Sequence, residues 1–219
     1  MRGMILAAGL GSRMGALTQD VPKPLLKVGK KYLIEYAIES LKTAGIRDII
    51  INIFYHAELI QNTLGDGSVW DVNLTYSHEL KRLETGGAIV KALPFFEDHP
   101  FLVLSADVIC NMDLSNFTMP SASLAHLVLV PNPIYHANGD FGLQNERVIL
   151  DCDEKYTFGN VALYQPALFQ TLKIAYLPLG NILKMAIMQG VVTGQLYHGA
   201  WSNIGTPQDI AAYEDLLAC

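Results

Sequence analysis

Charge is scarce in this chain, and what there is is not basic. Only 16% of the 219 residues are Asp, Glu, Lys or Arg, and the formal net charge is -6. A surface that grips nucleic-acid phosphates needs clustered cations, so no nucleic-acid partner is expected. A local positive pocket remains compatible with an acidic whole. Cysteine is scarce too. Cys110, Cys152 and Cys219 are an odd set of three without paired or metal-ligand spacing, which points to reduced thiols in a cytoplasmic protein rather than a disulfide framework. No apolar run is long enough to cross a bilayer, so no membrane partner is expected. Met4–Ala8 is too short for the apolar core of a secretory leader, and Gly9 interrupts it. His56, His78, His126, His136 and His198 show no ligand spacing and are expected to be structural or surface residues. Neither a Ser/His/Asp nor a Cys/His arrangement stands out.

What is abundant is apolar residues, at 51%, in a chain long enough for one large core. Strand and helix signals alternate. Met4–Ala8, Asp48–Phe54, Asn73–Tyr76 and Phe101–Ser105 read as strands, and Leu33–Ala44, Glu58–Leu64 and Gly86–Leu93 as helices, the last halted by Pro94. That order implies a mainly parallel sheet with right-handed crossovers, whose ligands lie beyond the carboxyl ends of its strands. The rule points to the Gly9–Arg13 loop, the Asn52–His56 turn and Asp107. From about Ala122 the rhythm turns antiparallel, with strands expected at Leu124–Pro131, Gly139–Leu143, Arg147–Leu150 and Gly159–Tyr164. A helix at Pro178–Gly190, a last strand before Trp201–Gly205 and a closing helix at Ala211–Leu217 follow. The expectation is one domain with a second lobe.

The stretch MILAAGLGSRMGALTQDVPKPLL, Met4–Leu26, runs a buried strand into glycines and then into two cations. It is not a dinucleotide fingerprint, because Met14 stands where a third glycine is needed, and it has no Gly-Lys-Ser/Thr for a P-loop. Gly9 and Gly11 let backbone amides approach an anion closely. Arg13 can grip a phosphate with its planar fork, and Pro22 and Pro24 fix the backbone around Lys23. A lone Gly-x-Gly is often only a tight turn; the whole combination in one loop favours a phosphate site.

These residues resemble the signature of the sugar-1-phosphate nucleotidyltransferases: Leu6-Ala7-Ala8-Gly9-x-Gly11-x-Arg13-Met14, Leu17-Thr18, then Pro22-Lys23-Pro24. The likeness continues through Leu83-Glu84-Thr85-Gly86-Gly87, Ala106-Asp107, Gly139-Asp140-Phe141 and Trp201-x-Asn203-x-Gly205-Thr206, nearly the whole chain. It implies an α/β, Rossmann-like three-layer fold with a mainly parallel mixed sheet. Residues 1–120 would form the nucleotide-binding part, 121–205 a sugar-binding lobe with a second metal ligand, and 206–219 a C-terminal helix. It also implies attack of a sugar 1-phosphate on the α-phosphorus of a nucleoside triphosphate, with release of pyrophosphate and with Mg²⁺ as cofactor. "HLVLVPNP", "GDF", "LETGG" and the short length are similar to the uridylyltransferases that use UTP and N-acetylmuramate 1-phosphate in cell-wall recycling.

By that resemblance Arg13 takes the triphosphate and its leaving group, and Lys23 lies near the α-phosphate. Asp107 is the main Mg²⁺ ligand, and Asn203 the second, where most relatives carry Asp. The nucleotide would lie against Leu6, Ala7, Ala8, Gly9, Gly11 and Ser12, with Glu79, Glu84, Thr85 and Gly86 at the base edge and Thr85 also capping a helix. The sugar would meet Asp107, Gly139, Asp140, Glu154, Lys155 and Asn160. Many relatives have Arg-Pro where this chain has Gly15-Ala16, so this loop is expected to be more mobile before nucleotide binds. The lack of a hexapeptide-repeat tail fits a monomer or homodimer. Transfer of guanylate to mannose 1-phosphate, transfer of thymidylate to glucose 1-phosphate, and a catalytically silent nucleotide-binding homologue stand as alternatives.

Overall fold

The computed structural model describes residues 1–218, and Cys219 lies outside the described residues. Cys110 and Cys152 are free thiols. In chain order the strands are β1 (Arg2–Leu6), β2 (Lys27–Val28), β3 (Lys31–Tyr32), β4 (Asp48–Ile53), β5 (Asn73–His78), β6 (Phe101–Ser105) and β7 (Val108–Cys110). They continue with β8 (Ala125–Val130), β9 (Gly142–Gln144), β10 (Arg147–Ile149), β11 (Thr157–Tyr164), β12 (Val192–Leu196) and β13 (Trp201–Asn203). The helices are α1 (Leu33–Thr43), α2 (Ala57–Leu64), α3 (Glu84–Phe96), α4 (Leu179–Met188) and α5 (Pro207–Ala218).

The chain divides into two compact units built from interleaved segments. The first holds Gly3–Arg82, Leu104–Ser115 and the chain from Ala200 on; the second holds Met1–Arg2, Leu83–Val103 and Asn116–Gly199. These limits fall elsewhere than residues 120 and 205.

In the first unit β5, β4 and β1 lie side by side in parallel, Gly3 to Leu6 in register with Ile49 to Asn52, and β4 in register with β5 along its length. Strand β4 reads DIIINI and all but Asp48 is buried, the pattern of a strand covered on both faces. Helix α1 buries Leu33, Ile34, Ala37, Ile38 and Leu41 along one stripe. The Glu35 carboxylate accepts the Tyr32 N–H at its start (3.1 Å), and Gly45, at φ 77°, ends it as the N–H groups of Gly45 and Ile46 bond back to Lys42 and Leu41. Strands β7 and β13 pair antiparallel, with Asn203 opposite Val108.

In the second unit β8, buried along its full length, lies between antiparallel β11 and parallel β12; β10 and β9 follow, each antiparallel to its neighbour. The mixed parallel and antiparallel sheet with helices is the expected α/β class, and β12 is the strand expected before Trp201.

Several elements depart from the sequence reading: α5 starts at Pro207 rather than Ala211, and β11 at Thr157 rather than Gly159. Helix α3 does not stop at Pro94 but runs to Phe96. Proline in a helix interior costs about 3 kcal/mol. Phe96 is fully buried and stacks on Phe101, with centroids 3.9 Å apart and an interplanar angle of 7°. Burying a phenylalanine contributes about 1.5–3 kcal/mol, and an aromatic pair about 0.5–1.5 more, enough to carry the helix past the proline to Phe96. The strand expected at Gly139–Leu143 starts only at Gly142, because Gly139 adopts φ 60° and makes a turn.

Tyr164 is fully buried beside Phe101 and Phe169, and its hydroxyl makes no hydrogen bond among the described residues. Burial pushes the phenol far above its ordinary pKa. A buried, unpaired hydroxyl costs about 1–3 kcal/mol. Tyr164→Phe is therefore expected to raise stability by about 1 kcal/mol in a denaturant titration; a loss of stability would show that the hydroxyl has a partner.

Candidate active site

Three parallel strands of the first unit end in a polar relay. The N–H of Ala7, just beyond β1, donates to Asn52 Oδ1 (3.0 Å), and Asn52 Nδ2 donates to Glu79 Oε1 (2.8 Å). Asn52 and Glu79 are both buried. Glu79 was among the sequence-predicted residues and Asn52 was not, although the Asn52–His56 turn was. Its signal was legible: one amide inside an otherwise apolar strand must find hydrogen-bond partners.

The loop after β1 runs out to solvent. Leu6 and Ala8 are half-buried, Ala7 is buried, and Gly9, Ser12 and Arg13 are exposed. A Cβ at Gly9 would meet nothing within 4 Å, so the strand end is left uncovered there. Gly11 is constrained twice: it adopts φ 65°, and a Cβ would lie 3.0 Å from both Lys23 and Thr18. The Thr18 hydroxyl donates to Gly11 O at 3.1 Å and holds the turn closed. Met14 is buried in a cluster with Leu26, Val28, Leu33, Ile109 and Ile204. That burial anchors the neighbouring Arg13 at the surface, where its guanidinium lies against Gly205. Gly15 adopts φ 58°, ψ -126°, a conformation open to glycine and strained for residues with a side chain.

Lys23 begins a short turn between Pro22 and Pro24, and Leu25 N–H closes it on Pro22 O at 2.8 Å. Its ammonium reaches Asp107 Oδ2 at 2.5 Å, with side-chain exposures of 10% for Lys23 and 27% for Asp107. Asp107 follows β6, where Ala106 N–H bonds to Leu6 O at 3.0 Å. Its own carbonyl accepts the N–H of Ile204 at 2.8 Å, and Asn203 is paired with the next residue, Val108. Asn203 Oδ1 is buried and accepts no hydrogen bond among the described residues. Lys23, Asp107 and Asn203, distant in sequence, are thus held together by backbone pairing and an ion pair. No group of three or more His, Cys, Asp or Glu able to hold a metal occurs among the described residues; a magnesium ion that keeps several waters does not require one.

The remaining predicted residues belong to the second unit. Glu84 opens α3 at φ 61°, and its carboxylate accepts the Tyr176 hydroxyl at 3.2 Å. Thr85 is not the helix cap: the cap position is Leu83 and no side chain caps it. The first turn is instead tied by backbone, Gly87 N–H to Leu177 O (3.3 Å) and Leu177 N–H to Leu83 O (2.9 Å). Gly86 and Gly87 permit this approach, since a Cβ would come within 2.7 Å of Leu177 O and 2.1 Å of Ala175 O respectively.

Gly139 packs on the Lys155 backbone, where a Cβ would meet the carbonyl oxygen at 2.9 Å. Asp140 spends both carboxylate oxygens inside this unit, one on the ring of His136 (3.1 Å) and one on the N–H of Phe158 (2.8 Å). Asn132, missed in the sequence, donates to Lys155 O at 2.7 Å and accepts the Thr157 hydroxyl at 2.9 Å. Glu154 is exposed, and its hydrogen bond to Tyr156 raises that phenol's pKa. Asn160 adopts φ 56° where the β11–β8 register shifts, a bulge in which residues 159–161 stand opposite Val128 alone and two residues are extra to the ladder.

A family model described as Nucleotidyl transferase matches residues 2–146. An N-acetylmuramate alpha-1-phosphate uridylyltransferase of Neisseria meningitidis is 39% identical over 94% of this chain and 94% of its own. A D-glycero-alpha-D-manno-heptose 1-phosphate guanylyltransferase of Campylobacter jejuni is 29% identical over 71% of this chain and 69% of its own. Among solved structures, a Bacillus anthracis protein proposed to be a glucose-1-phosphate thymidylyltransferase, in complex with sucrose, superposes with a TM-score of 0.87. It is 26% identical, and the match covers 99% of this chain and 94% of that one. With its signature loop, its strand-end aspartate and these relatives in agreement, the chain belongs to the nucleotidyl transferase family.

Proposed function

We propose that this chain transfers the uridylyl group of UTP to N-acetylmuramate 1-phosphate and releases pyrophosphate, as a step of cell-wall recycling in the cytoplasm. The observation that carries the reaction class is the gathering of Lys23, Asp107 and Asn203 within one unit, at the end of a strand and beside a glycine loop bearing Arg13. The choice of substrates rests on the Neisseria relative, which this chain matches along nearly its whole length.

The chemistry suits such a site. A sugar 1-phosphate is largely a dianion at neutral pH, since its second pKa is near 6, so its oxygen attacks without a general base. The barrier is the meeting of two anions in line, and the work of the protein is to place positive charge where they meet. Lys23 serves the α-phosphate and the incoming phosphate, and Arg13 the departing pyrophosphate. The Ala7–Asn52–Glu79 relay gives the strand ends a fixed edge for the base. In the second unit, Glu84, Thr85 and Gly86 serve the base, and Gly139, Asp140, Glu154, Lys155 and Asn160 serve the sugar.

Asp107 and Asn203 fit a magnesium ion: both offer hard oxygen donors, and the unpaired buried Oδ1 of Asn203 is the kind of atom a cation would satisfy. When bound, the ion would offset phosphate charge in the transition state.

The direct test is pyrophosphate release over UTP, GTP, dTTP, CTP and ATP against the 1-phosphates of N-acetylmuramate, N-acetylglucosamine, glucose and mannose. Signal confined to UTP with N-acetylmuramate 1-phosphate is expected; another pair would replace the substrates. Nucleotide binding without turnover would establish a silent homologue. Asp107→Ala is expected to lower kcat by about 100-fold or more, and wild-type rates at saturating magnesium would remove the metal assignment. Lys23→Ala should lower kcat by about 100-fold while changing the triphosphate KM far less, because its charge acts at the forming bond. Asn203→Asp should reach half-maximal rate at a lower magnesium concentration; an unchanged magnesium titration would place Asn203 outside the metal site.

A further inference from the structure

Gly205 poses a question that its backbone does not answer. Its φ is not positive, so no left-handed torsion calls for glycine there. Space, rather than torsion, is what its missing side chain preserves. A Cβ built on Gly205 has as its three nearest heavy atoms the guanidinium of Arg13: Nη1 at 3.2 Å, and Cζ and Nη2 at 3.3 Å.

The turn that carries Gly205 cannot move aside. On one side Ile204 is buried and its N–H is bonded to Asp107 O at 2.8 Å. On the other, one oxygen of Asp209 accepts the N–H of Gly205 (2.9 Å), the N–H of Thr206 (2.7 Å) and the Thr206 hydroxyl (2.9 Å). The N–H of Asp209 returns a bond to Thr206 Oγ1 at 3.3 Å, a reciprocal cap on the start of α5. Arg13 is the mobile partner. Its backbone is fixed by buried Met14, which packs in the same cluster as Ile204, but its side chain is exposed.

We propose that Gly205 is a positioning residue: with the Thr206–Asp209 cap it forms a flat backbone seat for the Arg13 guanidinium, so that the fork is set in place before a triphosphate arrives. A fork held in one orientation loses less entropy per phosphate bond formed. The inference deepens the proposed function and rests on Arg13 being the triphosphate-binding cation.

The test is a double-mutant cycle on UTP binding, measured by calorimetry without sugar phosphate, in Gly205→Ala, Gly205→Val and Arg13→Ala singly and in combination. A methyl group requires Arg13 to shift by a few tenths of an ångström, so Gly205→Ala should weaken binding about two- to threefold. Gly205→Val should weaken it about tenfold, which is the loss of one charge-assisted contact. Neither should weaken binding further once Arg13 is alanine, and thermal midpoints should stay at the wild-type value because an exposed arginine can swing into solvent. Equal losses with and without Arg13, or a lowered midpoint in Gly205→Ala, would overturn the seat and leave a role in turn stability. Wild-type UTP affinity in Arg13→Ala would instead overturn the assignment of Arg13 on which the inference rests.

Discussion

A lysine ammonium whose side chain is nine-tenths buried cannot stand alone, and the rest of this site follows from that constraint. Leaving such a charge unpaired costs several kcal/mol, whereas a close carboxylate offsets most of the penalty without adding much net stability. Residue 107 must therefore be delivered to residue 23, and two rigid devices deliver it. The Pro22–Leu25 turn fixes one end, and the bond from Ala106 N–H to Leu6 O fixes the other. The pair contributes little to the fold's stability by itself; what it secures is a lysine and an aspartate held against each other at the end of a strand.

The same aspartate draws in the C-terminal segment. Its carbonyl accepts Ile204 N–H, and the β7–β13 pairing places Asn203 beside it. Three motifs more than 80 residues apart along the chain thus share one small region of backbone. The neighbouring strand ends are organised differently, by a neutral amide. Asn52 donates to one side and accepts from the other, so a single residue orders β1 against the chain after β5 with both of its polar functions satisfied. Charged and neutral devices divide the site: the ion pair lies where phosphate charge is proposed to gather, and the amide relay lies where an uncharged base is proposed to rest.

What the sequence made legible is what local pattern encodes. Strand β4 is an isoleucine run, α1 carries an apolar stripe ending in glycine, and the Gly-x-Gly, Pro-Lys-Pro and Ala-Asp motifs fall at the ends of elements. What stayed hidden depends on partners remote in sequence. Pro94 is a local stop signal overruled by the stacking of Phe96 on Phe101. Thr85 has the chemistry of a cap, but the backbone of Leu177, accepting from Gly87 N–H and donating to Leu83 O, already ties the first turn. The turn at Gly139 and the bulge at Asn160 reflect positive φ angles that an alternating apolar pattern does not signal. Asn132 carries no motif, and the lone amide of Asn52 in an apolar strand signals a need for partners without saying which; the meaning of each lies in the groups it bridges.

The departure at Gly15-Ala16 has a structural counterpart. At φ 58° and ψ -126° Gly15 turns the chain in a way that a residue with a side chain strains to adopt, so this loop takes a path suited to its own sequence. The consequence is electrostatic. With no arginine at 15 or 16, Arg13 is the only cation between Gly9 and Pro22. A loop with two cations can tolerate imprecision in either, because one compensates for the other. A loop with one must hold it in place, and a methyl group's width at a glycine nearly 200 residues away is then enough to matter.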